Sequence, residues 1–309
     1  MAEKRKTAKS QTSIKSKKKA AASRPQPKSV AEPSALSVLP NSFKLTAQAF
    51  AIIRTFWRPL TGIILVYFLL SLLFVGALPS LSTVVHDAKY GQSGSFASGL
   101  SIFGGLLSHS GSSSTPAGSL LQTVLFIIDS LVIIWALRQL LAGKIVGIKE
   151  SYYNSMYPLI PFILVLFVLI IELLPLSLGA AILSAILNTA VSSVTPVVIL
   201  GWLIFLAGAA WSLYMFSASV FALYIVTLPD MHPREALRSA RRLARTRLRQ
   251  ILPRLLYLPL FILLAMALIL VPLIIFVSSM AAPVFLALGL LSLLFAHTYL
   301  YSLYRSLIA

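Results

Sequence analysis

Apolar positions gather into six long runs along this chain, and the shorter polar stretches between them set its architecture. A helix rising about 1.5 Å per residue needs about 20 apolar residues to cross a hydrocarbon core of about 30 Å. Runs of that kind lie at about residues 60–78, 120–137, 159–178, 197–228, 255–277 and 284–301. The fourth exceeds what a bilayer needs, so it is expected to emerge into the cytoplasm before Pro229-Asp230.

Three further segments carry a helical period without being spans. Phe43, Leu45, Ala49, Phe50, Ile53 and Trp57 recur on one face after Asn41-Ser42, a capping pair, which predicts an interfacial helix. Lys144–Tyr157 carries Tyr152, Tyr153, Met156 and Tyr157, aromatic residues of the kind that anchor at a membrane boundary. The third helix is expected to start at Pro233. There Leu237, Ala240, Ala244, Leu248 and Ile251 fall on one side, while Arg234, Arg238, Arg241, Arg242, Arg245 and Arg249 fall on another. Only Arg247 lands among the apolar positions, and a helix of this kind is expected to lie in the headgroup plane, apolar face down.

A repeat underlies this order. Arg58-Pro59-Leu60, Tyr157-Pro158-Leu159 and Leu252-Pro253-Arg254 each stand where an amphipathic segment gives way to a span, at intervals of 99 and 95 residues. Proline lacks the N–H and restricts the residue before it, which suits a bend between a surface helix and a descending one. The expected fold is an all-α polytopic membrane bundle: six transmembrane helices with amphipathic cytoplasmic elbow helices, arranged as three hairpin repeats. Residues 1–40 are expected to form a disordered basic cytoplasmic tail, since 1–33 have no apolar period and hold ten Lys and Arg. Residues 41–309 form the six-span domain. About 50 residues precede the first apolar run, so no signal peptide is expected and the first span acts as its own anchor.

Composition strengthens the class. Of 309 residues, 58% are hydrophobic and 11% charged, a balance that a water-soluble domain of this length cannot carry without large exposed apolar patches. The net charge of +18 changes the picture through its distribution. Twenty-five of the 26 Lys and Arg fall in the N-terminal region, around 138–149, within 234–254 or at Arg305, and Lys89 alone falls on the opposite side. Short loops rich in Lys and Arg stay inside, so both termini are expected in the cytoplasm. A nucleic-acid partner is disfavoured, because residues 1–28 have no aromatic side chain on which bases can stack.

The run Val226-Thr227-Leu228-Pro229-Asp230, followed by Pro233-Arg234-Glu235-Ala236-Leu237-Arg238-Ser239-Ala240 and a basic helix, carries a family likeness. It resembles the bacterial six-span membrane domain that is sometimes fused to glycerophosphodiester phosphodiesterases and often stands alone. The resemblance covers about 25 residues closely and the rest through architecture. It implies a six-span fold with amphipathic elbows in the bacterial cytoplasmic (inner) membrane, and no agreed activity; this chain has no phosphodiesterase domain.

Candidate chemistry is sparse. The absence of Cys excludes disulfides, thiolate metal sites and Cys nucleophiles. His86, His109 and His232 have no metal-ligand spacing, and no G-x-S-x-G, Walker or G-x-G-x-x-G pattern follows a strand. No cofactor, metal or catalytic activity is expected. Asp129 stands within the second span, and an intramembrane carboxylate is a functional candidate by default. Glu172 in the third span and His297 in the sixth lie at similar depth, which admits a proton or cation relay; the plainer reading is a protonated Asp129 bonded to a neighbouring helix. Gly201, Gly208, Ser212 and Ser219 form a small-residue stripe on the fourth span, read as a helix-packing face. The basic face of the third elbow is read as a contact for anionic phospholipids or for a membrane-protein partner, with a plain orientation anchor as the alternative. The expectation is a non-catalytic membrane scaffold or interaction protein, the alternative a small transporter using Asp129 with Glu172 or His297.

Overall fold

The computed structural model describes residues 40–75, 102–104, 106–107, 116–188, 195–228, 231–245, 247–277 and 280–308. The expected tail and most of the Ser/Gly-rich link at 79–119 lie outside the described residues, as do His86 and His109. Within the described residues the chain is all helix. α1 (Ser42–Thr55) meets α2 (Trp57–Leu70) at a bend of 86°, and α2 runs into a π turn at Ser71–Val75. There follow α3 (Pro116–Leu141), α4 (Ile148–Ser155), α5 (Leu159–Leu187), α6 (Thr195–Ser219), α7 (Ala222–Ile225), α8 (Pro233–Arg245), α9 (Leu248–Phe276) and α10 (Ala281–Ile308). Among the described residues five helical segments are each long and apolar enough to cross a bilayer, and up to six if the bent α1–α2 pair counts as one span. The protein is a multi-pass membrane helical bundle.

Local chemistry explains the joints. α3 stops at Gly143, whose φ of 77° is open to glycine without strain, and there Gly143 N–H donates to the Leu140 carbonyl (3.0 Å) and Lys144 N–H to that of Gln139 (3.1 Å). The first bend falls at Phe56, so Pro59 lies in the first turn of α2, where a missing N–H leaves no helical bond unmade. Pro158 caps α5.

The third bend departs from the expected Pro253. α8 ends at Arg245, Arg247 leaves helical geometry at φ −126° and ψ 16°, and Pro253 lies in the second turn of α9. Proline so near a helix start removes only the bond to the Arg249 carbonyl and does not force a break there. Arg249 therefore belongs to α9 and not to the basic helix. The fourth span is long, as expected, and runs over Thr195–Ile225, with a break after Ser219 that sets the short α7 apart from α6.

Two packed regions hold the described bundle. Leu60, Ile63, Ile64 and Tyr67 of α2 pack with Val132, Ile133, Ala136 and Leu137 of α3 and Leu290 and Leu294 of α10. Ile102, Phe103 and Leu106 pack with Met266 and Leu270 of α9 and Phe285 of α10. α1 lies against α9 and α10 through Phe43 on Tyr257 and Phe50 on Phe295, with ring centroids 5.5 and 5.1 Å apart. Because lipid is as apolar as a leucine side chain, close van der Waals approach and interhelical hydrogen bonds carry more of the helix association here than apolar burial does.

Candidate functional site

The α5–α6 hairpin shows that close approach and leads into the site. A Cβ on Gly208 would stand 2.6 Å from the Pro175 carbonyl oxygen, and one on Gly201 would stand 2.9 Å from Ile186 Cδ1. Pro175, inside α5, disturbs the helical bonding around it. The Leu176 N–H donates instead to Ser212 Oγ across the helix pair (3.0 Å), so a side chain of α6 satisfies backbone of α5. Ser219, last in α6, donates to Glu172 Oε1 at 2.7 Å. All four small residues of the α6 stripe thus face α5.

Glu172 also receives Arg241 of the basic helix. Arg241 places one terminal guanidinium nitrogen 2.8 Å from Glu172 Oε1 and its Nε 3.2 Å from Ser219 Oγ. Three elements therefore meet on one carboxylate. Its second oxygen, Oε2, is buried without a hydrogen-bond partner. Glu172 sits near the middle of the 29-residue α5, with its Cα about 20 Å along the axis from Leu159. Exposed apolar side chains flank it in sequence on both sides, Ile160, Leu164 and Phe167 before and Leu178 and Ile182 after.

α8 reaches this depth because its inward face is nearly bare. Ala236, Ala240 and Ala244, spaced by four, are fully buried, and the helix packs on α5, α6 and α7 through them. Methyl side chains let the backbones approach, whereas Leu237 is only half-buried at the edge. The expected apolar face was Leu237, Ala240 and Ala244 running on to Leu248 and Ile251; Ala236 replaces Leu237, and the last two belong to α9. The face is turned to protein, where the sequence suggested a helix laid apolar side down in the headgroup plane.

The opposite side of α8 is an open groove of about 540 Å³ lined by Arg234, Leu237, Arg238, Arg241, Arg242 and Arg245. Five of the six arginines singled out from the sequence line it; Arg249, exposed on α9, does not. Among the described residues Arg234, Arg238, Arg242 and Arg245 have no acidic partner, and all four are exposed. Such a cluster attracts phosphate, which guanidinium binds through paired N–H donors.

The other two polar candidates have surroundings of their own. Asp129 on α3 is 1% exposed. Beside it stand Tyr67 of α2 and Tyr152 of α4. Burial first, and then the Asp129 charge, push the Tyr152 phenol up from its ordinary pKa, so it keeps its proton and donates to the Ile63 carbonyl (3.1 Å). His297 on α10 lies buried with Nδ1 3.2 Å from the Tyr224 hydroxyl of α7, and the Tyr224 ring in turn packs on Tyr301 and Tyr304. Asp129, Glu172 and His297 each bond or neighbour different groups, and none has another of the three as a hydrogen-bond partner. Among the described residues no three His, Cys, Asp or Glu side chains come together in a way that holds a metal ion.

Sequence reasoning missed Tyr67, Tyr224 and the Arg241–Glu172 pair. For Tyr224 a signal existed, since aromatic residues recur at Phe221, Tyr224, Tyr301 and Tyr304. No family model, no curated protein and no solved structure matches the chain.

Proposed function

We propose that this protein is a non-catalytic membrane scaffold or interaction protein whose basic helix α8 engages the acidic headgroups of anionic phospholipids. The observation that carries the reading is the groove itself: four guanidinium groups without acidic partners, on a helix docked against the lipid-facing hairpin α5–α6. Basic groups beside a bilayer surface attract acidic headgroups, and phosphate is the counter-charge a bilayer offers.

The finer architecture belongs to the same reading. Short helices precede spans at Phe56, at Met156–Pro158 and at Arg247, which supports three elbow-plus-hairpin units. The charge distribution supports both termini in the cytoplasm and α8 on the inner side of a bacterial inner membrane. Membership in the six-span membrane-domain family rests on residues 226–240 and on that architecture.

The test is reconstitution of the full chain in neutral vesicles doped with a headgroup-labelled acidic or zwitterionic lipid, with transfer from Trp211 or Trp202 reporting proximity. Acidic lipid should be enriched around the protein, and added salt should reduce the enrichment. Equal enrichment of both labels removes the reading.

A second reading has one observation in its favour, the carboxyl of Asp129 buried within the apolar helix α3. As a proton or cation carrier, Asp129 makes flux depend on its ionisation. Wild type and Asp129→Asn in proteoliposomes at equal incorporation decide it: proton, sodium or potassium flux in the wild type that vanishes in the Asn variant establishes transport, and flux in neither removes this reading for those three ions.

A further inference from the structure

We propose that Asp129 is a proton-binding site, and that the bound proton ties the short helix α4 to two spans at once, to α3 through Asp129 and to α2 through Ile63. The tie needs neither anionic lipid nor transport, so it stands apart from both functional readings. Tyr152 of α4 is its middle link. The Tyr152 hydroxyl donates to the Ile63 carbonyl at 3.1 Å and stands within hydrogen-bond reach of the Asp129 carboxyl. A phenol has one hydrogen to give. With that hydrogen on Ile63, Tyr152 offers Asp129 only a lone pair, and only the protonated acid has a hydrogen to place on it. The bonding then runs from Asp129 through Tyr152 to the Ile63 carbonyl, with one donor at each link.

Loss of the proton reverses the middle link. A carboxylate accepts a charge-assisted bond roughly twice as strong as a neutral one, so the Tyr152 hydrogen turns from Ile63 to Asp129. α4 stays bonded to α3 and loses its bond to α2. Between α2 and α4 there remains packing, with Ile148 pressed against Gly62. Ile63 lies inside α2, so its carbonyl keeps its helical bond and the change leaves no backbone group stranded. The titratable groups that face Asp129 are Tyr67 of α2 and Tyr152 of α4, phenols that keep their protons where a carboxyl titrates. Among the described residues α5 and α10, also packed on α3, bring no charged side chain to it.

The experiment uses the full chain in neutral nanodiscs with pairs of spin labels, placed on cysteines introduced into a chain that has none. Leu65→Cys with Tyr153→Cys reads α2 against α4, and Phe126→Cys with Tyr153→Cys reads α3 against α4; all three positions are exposed. Distances are measured by pulsed electron resonance on samples frozen across a series from about pH 5 to about pH 9. The α2–α4 distribution should be narrow at low pH and gain a second component as pH rises. The ratio of displaced to docked α4 should rise about fivefold, the worth of one neutral hydrogen bond. The α3–α4 distribution should stay narrow throughout.

Asp129→Asn keeps a donor and cannot ionise, so both distributions should stay narrow at every pH. Tyr152→Phe lacks the middle link and should show the displaced α2–α4 component at every pH. Infrared difference spectra between the wild type and Asp129→Asn should contain the band of a protonated carboxylic acid at low pH, lost over the range in which the second component grows. A wild-type α2–α4 distance indifferent to pH overturns the proposal, as does a pH response that persists in Asp129→Asn. Absence of the protonated-acid band overturns it too. Equal broadening of the two pairs means that α4 loosens as a whole, which contradicts a bond exchanged between α2 and α3.

Discussion

Gly208 shows how much a single missing side chain sets in this fold, because the Pro175 carbonyl stands 2.6 Å from where its Cβ would be. Backbone cannot move aside as a flexible side chain can. Gly208→Ala should therefore weaken the α5–α6 pairing by about 1–3 kcal/mol, the usual cost of overpacking. Gly289→Ala, with nothing within 4 Å of the added Cβ, should be neutral in the same thermal-unfolding comparison in detergent. Equal effects of the two contradict the packing account. The stripe of Gly201, Gly208, Ser212 and Ser219 was legible in the sequence, but the partner helix was not. Small residues at helical spacing define a face without naming what meets it. The missing clue was Pro175, since disturbed backbone bonding in one apolar helix calls for a hydroxyl from another. Arg241 and Glu172 were each legible as candidates and not as a pair, because hydropathy assigned one to the headgroups and the other to mid-membrane.

At the scale of the element, α8 was foreseen as a basic amphipathic helix, with its end and its footing wrong. The periodicity ran on smoothly through Leu248 and Ile251, and nothing in a helical plot marks the departure of Arg247 from helical geometry. Alanines at 240 and 244 read as weak apolar residues for a lipid surface and Ala236 was not among them, yet small size is what lets a helix dock on three others. The Glu172 bond then fixes the docked helix. Arg241→Gln leaves a buried carboxylate without its cation, while Glu172→Gln with Arg241→Gln removes both charges. In a double-mutant cycle the coupling should be about 1–2 kcal/mol, reduced from a fully buried pair because the Arg241 side chain is 50% exposed. Hydrogen exchange in α8 should speed up in Arg241→Gln and slow again in the double variant. Additive effects of the two single changes mean that the contact does not hold α8 in place.

For the whole molecule, six apolar runs were enough to give an all-helical membrane bundle, because spans are fixed by length and hydropathy alone. Their ends were less legible: nothing in the hydropathy of 197–228 marks the helix break after Ser219. The polar candidates were found by rarity in an apolar sequence, and their separate partners by none of its periodicities. The charge distribution predicts that compartment reporters fused within 144–157 and after Ala309 report the same side; opposite signals contradict the even span count. The central claim is that one face of α8 is docked on protein while the other receives acidic headgroups. The chain has no cysteine, so single cysteines test this without background. Leu237→Cys, in the groove, and Ala240→Cys, on the docked face, keep every arginine. Their labelling rates with a water-soluble maleimide are compared in neutral and in cardiolipin-containing nanodiscs. The account predicts fast labelling at 237 that acidic lipid slows and salt restores, and slow labelling at 240 in both; a rate at 237 indifferent to acidic lipid, or one at 240 as fast as at 237, contradicts it.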